Sequence, residues 1–448
     1  MALTWRQTSS TVFENSRGTF EQLYYYTQGE FGKPAPSILF TTVKFKNHEG
    51  LTHDQVEASL RSAWSQTRAR EPQIAARHGE TGKIIEVFEG KALDNWLSET
   101  FVVSQDKTPD DIFRESVSRR YPTLFYFPAT MELTLQINHA WVDGRGALFF
   151  WDIFFSTLAN PSDVPVTAET IKKNLPLTMD TILDVPQEIS PGVLGYAEKF
   201  LERISTDNAI FTPADDPNAS LKGFSRRQCK LSHEISSKII STCKQRGMTV
   251  TAAVQVAFGM AVQEYQQEKQ GKAGDVWASF ANIDARRFFA KEYSDELRRV
   301  ACHCTVIPLY VSIKPDTFDE TTVEISEYYR KALNHPNAEG ALCIPAAMPF
   351  YMQKVAEGAA FSRTPLLTSL GIIEDFMGRK FGQWEVEDFW LANTMMPPSM
   401  QLFLWTWRGQ VVFGGSWNEA MYGADVTERL LERTEEILMK ALGLLGSV

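Results

Sequence analysis

The stretch INHAWVDGRGALFFW, residues 137–151, holds a histidine, His139, four positions ahead of an aspartate, Asp143, with Gly144 directly after it. Imidazole changes protonation state near neutral pH. With a carboxylate nearby it can serve as a general base without any covalent enzyme intermediate. Other chemistries lack their residues. A serine-hydrolase elbow needs glycine on both sides of the serine, and GGSWN at 414–418 has Asn418 in the second place. GRGALF lacks the third glycine of a dinucleotide fingerprint, and there is no Walker-type loop and no His-Glu-x-x-His pattern. Neither a metal nor a nucleotide redox cofactor is called for.

The residues around His139 say how it is positioned. In MELTLQIN, Met131, Leu133, Leu135 and Ile137 alternate with Glu132, Thr134, Gln136 and Asn138, the pattern of a strand. His139 continues the apolar, inward side. Asp143-Gly144 is a turn-type pair, after which Ala147, Trp151, Phe154, Phe155 and Leu158 recur at helical spacing. An inward imidazole is thus expected where a strand ends and a helix begins. The plainer alternative is a core histidine satisfied by a backbone carbonyl, with Asp143 as a turn residue or helix cap.

The chain has 448 residues, 12% of them aromatic, with 11 Trp and 29 Phe, enough for a large core or apolar tunnels. The formal net charge of -10 argues against a general nucleic-acid or anionic-membrane surface. A phosphate-bearing ligand would need a local basic patch. The start, MALTWRQTSS, does not read as a secretory signal, and no segment is apolar for long enough to span a bilayer. A soluble cytoplasmic protein is expected, with no membrane insertion and no nucleic-acid partner. The five cysteines, Cys229, Cys243, Cys302, Cys304 and Cys343, form no disulfide framework. Cys302 and Cys304 flank His303 on alternate residues, and with no second ligand pair they read as structural thiols, not metal ligands.

Three stretches organise the chain: residues 1–160, a Pro-rich 161–222 that reads as a crossover linker, and 223–448. The first contains LTHDQVEASLRSAWSQTRAREP, a helix with Thr52 and Gln55 as a capping box and Val56, Leu60 and Trp64 on one side. The third opens with a strand, a helix, a glycine turn and a second helix started by Thr249 or Thr251. VIPLYVSI, LLTSLGII and MQLFLWTWRGQVVFGGSW read as strands, the last a hairpin about Arg408-Gly409. A final amphipathic helix, DVTERLLERTEEILMKALGLL, has Asp425 and Glu428 as its expected caps. Both halves mix sheet and helix, an α+β class.

HAWVDG resembles the HxxxDG motif of the chloramphenicol-acetyltransferase-like superfamily, which includes the BAHD acyltransferases and the condensation domains of nonribosomal peptide synthetases. FANIDARRFF at 280–289, CHCTVIPLYVS, TSLGII and RKFGQW resemble later segments of that superfamily in the same order, across about residues 30–440. Condensation domains usually carry a histidine in the place of Asn138, and the BAHD loop has an aspartate in the place of Lys380 and a further glycine at its end. The pattern is more similar to divergent acyltransferases of fungal natural-product pathways. The resemblance implies two similar subdomains, each a mixed sheet flanked by helices, with a tunnel at their interface.

It also implies roles. His139 would take a proton from an acceptor hydroxyl or amine as that atom attacks an acyl thioester, and return it to the departing thiolate. Asp143 would point away from the imidazole and pair with Arg286, supporting the motif together with Gly144. Ser369, the Trp384 indole or Asn393 could donate to a developing oxyanion. For a coenzyme A donor, Arg226, Arg227, Lys244 and Arg246 are the candidate cations, and the helix start at Thr249 and Thr251 could offer backbone donors. Equally, such charged residues can be plain solvated surface.

The expected function is acyl transfer from acyl-CoA, a co-substrate and not a bound cofactor, to a hydroxyl or amine of a small hydrophobic natural product, by a monomer. One alternative is a condensation-like cyclase or isomerase of a polyketide or terpenoid that uses the same cavity without a donor. Another is a non-catalytic binding module. Consumption of a donor separates the first from the second.

Overall fold

The computed structural model describes residues 4–80, 82–186, 188–217, 219–334, 343–357, 363–396 and 398–444. The chain forms two compact units, each discontinuous in sequence. The first gathers residues 1–185, 284–304 and 372–394; the second gathers 186–283, 305–371 and 395–448. The expected boundaries at 160 and 222 therefore differ from the units observed. Residues 161–222 are not a bare linker either, because they contain the helices Ala168–Lys173, Met179–Ile182 and Pro191–Ile204. Proline is tolerated in the first turn of a helix, where its missing N–H has no partner to lose, and Pro191 takes that place after the Ser190 cap.

The first unit is built on a six-stranded mixed sheet and a four-stranded antiparallel one. The larger sheet runs Lys380–Phe381, Trp384–Asn393, Ile38–Asn47, Glu132–Asn138, Thr123–Phe127, Phe101–Val103. Glu132–Asn138 is a central strand, antiparallel to both neighbours. That position explains why its alternation does not produce a wet face. Thr134 and Gln136 are as buried as Leu133 and Leu135, and are satisfied by the Thr42 hydroxyl at 2.8 Å and the Val117 carbonyl. Trp384–Asn393, not among the expected strands, pairs along its length with Ile38–Asn47.

Local signals elsewhere in this unit hold. The helix His53–Thr67 begins at Thr52 with reciprocal bonds, Gln55 N–H to Thr52 Oγ1 at 3.3 Å and Thr52 N–H to Gln55 Oε1 at 2.9 Å. Val56, Leu60 and Trp64 are its buried side, packed against the helix Gly144–Ala159.

The second unit has one mixed six-stranded sheet, in the order Cys304–Ser312, Val276–Asp284, Leu366–Ile372, Gln401–Trp407, Gln410–Asn418, Phe224–Lys230. Its hairpin turns at Arg408 and Gly409, both at positive φ (52° and 76°), as a two-residue connection matched to strand twist requires. The helix Val250–Gln270 is buried on most sides and packs against the closing helix Ala424–Ala441. That closing helix differs from expectation at its start. Gly423 is the cap, without a side-chain bond, and Asp425 sits inside the first turn, where its charge still suits the positive helix end.

Candidate active site

In the first unit, the sheet ladder carries one residue past the motif strand. The His139 N–H donates to the Ser37 carbonyl at 2.9 Å, while the Ser37 N–H donates to the Thr394 carbonyl at 2.8 Å. Ser37 does this at φ 62°, a conformation that costs a non-glycine residue energy and that the surrounding bonds must enforce. His139 is thereby anchored by its backbone.

The imidazole is fixed from the side by Tyr24, whose ring stacks on it with centroids 4.0 Å apart and planes 11° from parallel. Nδ1 is buried without a hydrogen bond. The side chain as a whole keeps partial solvent access, which leaves Nε2 as the nitrogen that can meet a substrate. Burial is the largest influence on its protonation and holds the pKa below the usual histidine value, against the opposing pull of backbone contacts at His139 and Val142 and of the Asp143 charge. Among the described residues no hydrogen bond joins Asp143 to this ring.

Asp143 instead caps the helix Gly144–Ala159. Its Oδ1 accepts from the Gly146 N–H at 2.6 Å, and its Oδ2 accepts from Arg286 Nη1 at 2.8 Å and from the His303 N–H at 2.7 Å. The pair is deeply buried, each side chain 4% exposed. Arg286 is fully engaged at its outer nitrogens: Nη1 also meets Asp284 at 3.2 Å, and Nη2 donates to the carbonyls of Ala301 and Arg299. Burial alone would lower its pKa, but the carboxylates of Asp143 and Asp284 outweigh this and hold the guanidinium charged. The segment 299–303 is itself tied down, with the Val300 N–H donating to the Glu71 carboxylate at 3.0 Å and the His303 Nε2 donating to the Leu177 carbonyl at 2.9 Å. Desolvation and the Arg286 charge push the His303 pKa well down, so this ring is a neutral, structural histidine.

Gly144 opens the motif helix. The close approach is at Gly146, where an added Cβ would lie 2.8 Å from the Ala301 carbonyl oxygen and 2.9 Å from Val142 Cγ2. Absence of a side chain there lets the Asp143 loop and the segment 299–303 meet.

The candidate oxyanion donors fall in different places. Asn393 shares a cross-strand row with Leu39 and Ile137, at the same end of the sheet as His139. Trp384 begins the same strand and pairs with Asn47, nine residues away, or about 30 Å at a strand's rise. It is a core residue packed against Phe45, and its indole is not a donor for chemistry at His139. In the second unit the Ser369 and Thr251 hydroxyls meet at 2.9 Å on a solvent-reachable surface.

The candidate donor-binding residues also separate. Arg246 is bound to Asp319 and to the carbonyls of Ala441 and Leu442 at the end of the closing helix, a capping use of its charge. Thr249 caps the helix Val250–Gln270 through the Ala252 N–H, and its own N–H donates to Ser326. Arg226 and Arg227 are consecutive on the strand Phe224–Lys230 and so face opposite sides of the sheet, Arg226 toward Gln228. Lys244 is an exposed residue of a helix's last turn. Sequence reasoning missed Ser37, Tyr24 and the His303 backbone. The run YYY at 24–26 marks an aromatic helix, without saying which ring turns toward the histidine.

No protein-family model matches the chain. It is 26% identical to the O-acetyltransferase pigM of Monascus ruber, across 98% of this chain and 87% of that one. The trichothecene 15-O-acetyltransferase TRI3 of Fusarium sporotrichioides superposes with a TM-score of 0.80 at 17% identity, covering 97% of each chain. The first condensation domain of the CDA synthetase superposes with a TM-score of 0.65 at 14% identity, again over 97% of each. The fold is therefore the condensation-domain-like one. The sequence relative and the first of these structures are both named as O-acetyltransferases. Among the described residues no helix is long and apolar enough to cross a membrane.

Proposed function

We propose that the protein transfers an acyl group from acyl-coenzyme A to a hydroxyl of a hydrophobic fungal natural product, with His139 as general base. The observation that carries this is the state of His139: anchored by its backbone, stacked on Tyr24, with Nδ1 buried and its pKa held low, so that the ring is neutral at physiological pH. A neutral imidazole can accept a proton; a charged one cannot. The diversion of Asp143 to Arg286 supports the same assignment, because a carboxylate bonded to the ring would raise its pKa.

Nε2 takes the proton of the acceptor hydroxyl while that oxygen attacks the thioester carbonyl. The tetrahedral intermediate then expels the thiolate, which receives the proton from the imidazolium. Asn393 is our first choice for the oxyanion donor, on its position at the His139 end of the sheet. The named acetyltransferase relatives support hydroxyl acceptors and a short acyl group.

The test is thiol release from a panel of acyl-coenzyme A donors with a pooled library of hydrophobic alcohols, beside His139→Ala, with product masses read out. A donor-dependent product lost in the variant supports the proposal, by about 10²–10⁴-fold for removal of a general base. A library compound that changes at constant mass with no donor consumed would replace it with the cyclase alternative.

A further inference from the structure

We propose that Cys302 and Cys304 form a paired-thiol modification site, closed to a disulfide by a peroxide, and that its closure is felt at His139. The two sulfurs are in contact at 3.9 Å. As alternate residues around His303 they lie on one side of the chain while the His303 ring turns to Leu177. Among the described residues no group of three or more His, Cys, Asp and Glu side chains could hold a metal, so the chemistry open to this pair is that of sulfur itself. Cys302 is 3% exposed whereas Cys304 has partial access, which makes Cys304 the sulfur an oxidant meets first. Cys229 and Cys243, on a strand and a helix of the second unit, have no such pairing with each other.

The steps balance. The Cys304 thiolate attacks the peroxide O–O bond, giving a sulfenic acid and hydroxide; the Cys302 sulfur then displaces the sulfenic oxygen as water. Two thiols and one hydrogen peroxide become one disulfide and two waters. The sulfurs must draw together to a bond length of about 2.05 Å. The link to the site is Tyr24, which lies close enough to Cys304 and Cys302 for both to act on its ionisation and whose ring stacks on His139. Closure draws the Cys304 sulfur toward Cys302 and so shifts a neighbour of the tyrosine ring that stacks on His139. The effect on turnover rests on the base role given to His139; the closure itself does not.

The experiment treats the reduced, full-length protein with graded hydrogen peroxide and follows intact mass, a non-reducing peptide map and acyl transfer, each relative to untreated protein. Expected is the loss of two hydrogens in the peptide holding residues 302–304, with activity falling about tenfold and returning with dithiothreitol. Cys302→Ser and Cys304→Ser, each compared with its own untreated activity, should lose that response. Oxygen addition at Cys304 with no loss of hydrogens, or a disulfide that engages Cys229 or Cys243, would overturn the site. If the disulfide closes as described in a protein that transfers no acyl group even when reduced, the site stands and the base role fails.

Discussion

The Tyr24 ring and the His139 imidazole lie face to face, 4.0 Å between centroids and 11° between planes, so a residue of the first helix sets the orientation of a residue at the end of a central strand. An aromatic stack of this kind is worth about 0.5–1.5 kcal/mol beyond area burial. Tyr24→Phe keeps the ring and should retain activity within about threefold, whereas Tyr24→Leu should lower kcat about tenfold with a smaller change in KM. Steady-state kinetics on the two variants check this. Equal activity in both would show that the stack does not hold the base.

Arg286 and Asp143 are a buried ion pair that also bonds to backbone groups of Gly146, Ala301, Arg299 and His303. Arg286→Ala should destabilise the protein by about 3–5 kcal/mol, because it strands the Asp143 carboxylate without its cation. Urea unfolding gives the number. A change within about 1 kcal/mol would mean that Asp143 is satisfied by its N–H donors alone.

At Gly146 a methyl group has nowhere to go, since the obstructing atoms are backbone of Ala301 and the Val142 side chain. Gly146→Ala should cost about 1–3 kcal/mol and reduce turnover together with it. Gly195→Ala is the natural comparison, because nothing lies within 4 Å of the Cβ it would add in the helix Pro191–Ile204. It should stabilise by about 0.5–1 kcal/mol. Thermal unfolding of both variants reads opposite signs if local space decides the outcome.

With its pKa lowered by burial, His139 stays neutral below the pH at which a free histidine charges. The rate kcat/KM should therefore rise with pH to an inflection below the ordinary value of about 6.5 and then stay flat. Stability should follow the same sign. His139 and His303 are both held down in the folded state, so the unfolded chain takes up their protons first as pH falls through about 6.5, and stability declines from there toward acid. A pH–rate profile with its inflection above that value would contradict a buried neutral base.

What could be read in advance was local. The strand before His139, the cap at Asp143, the Thr52 capping box and the Arg408-Gly409 turn are each written within a few residues, by alternation, capping chemistry and positive-φ turn residues. The partnership of Asp143 with Arg286 was open to family resemblance alone. Nothing in spacing could show it, because its value comes from burial that only the packed chain creates. Trp384 illustrates the reverse error: its residue type suits an oxyanion donor, but the register of its strand carries it to the far end of the sheet.

By itself, then, the sequence determined that a histidine would stand at the junction of a strand and a helix, with an aspartate at the helix start, because those outcomes depend on hydrogen bonds and side-chain periodicity between near neighbours. Only the tertiary structure decided that Tyr24 would stack on that histidine, that residues 284–304 and 372–394 would join the first unit, and that Asp143 would turn to Arg286 instead of the imidazole. Those depend on contacts between distant segments, where the free energy is set by which groups share one desolvated space.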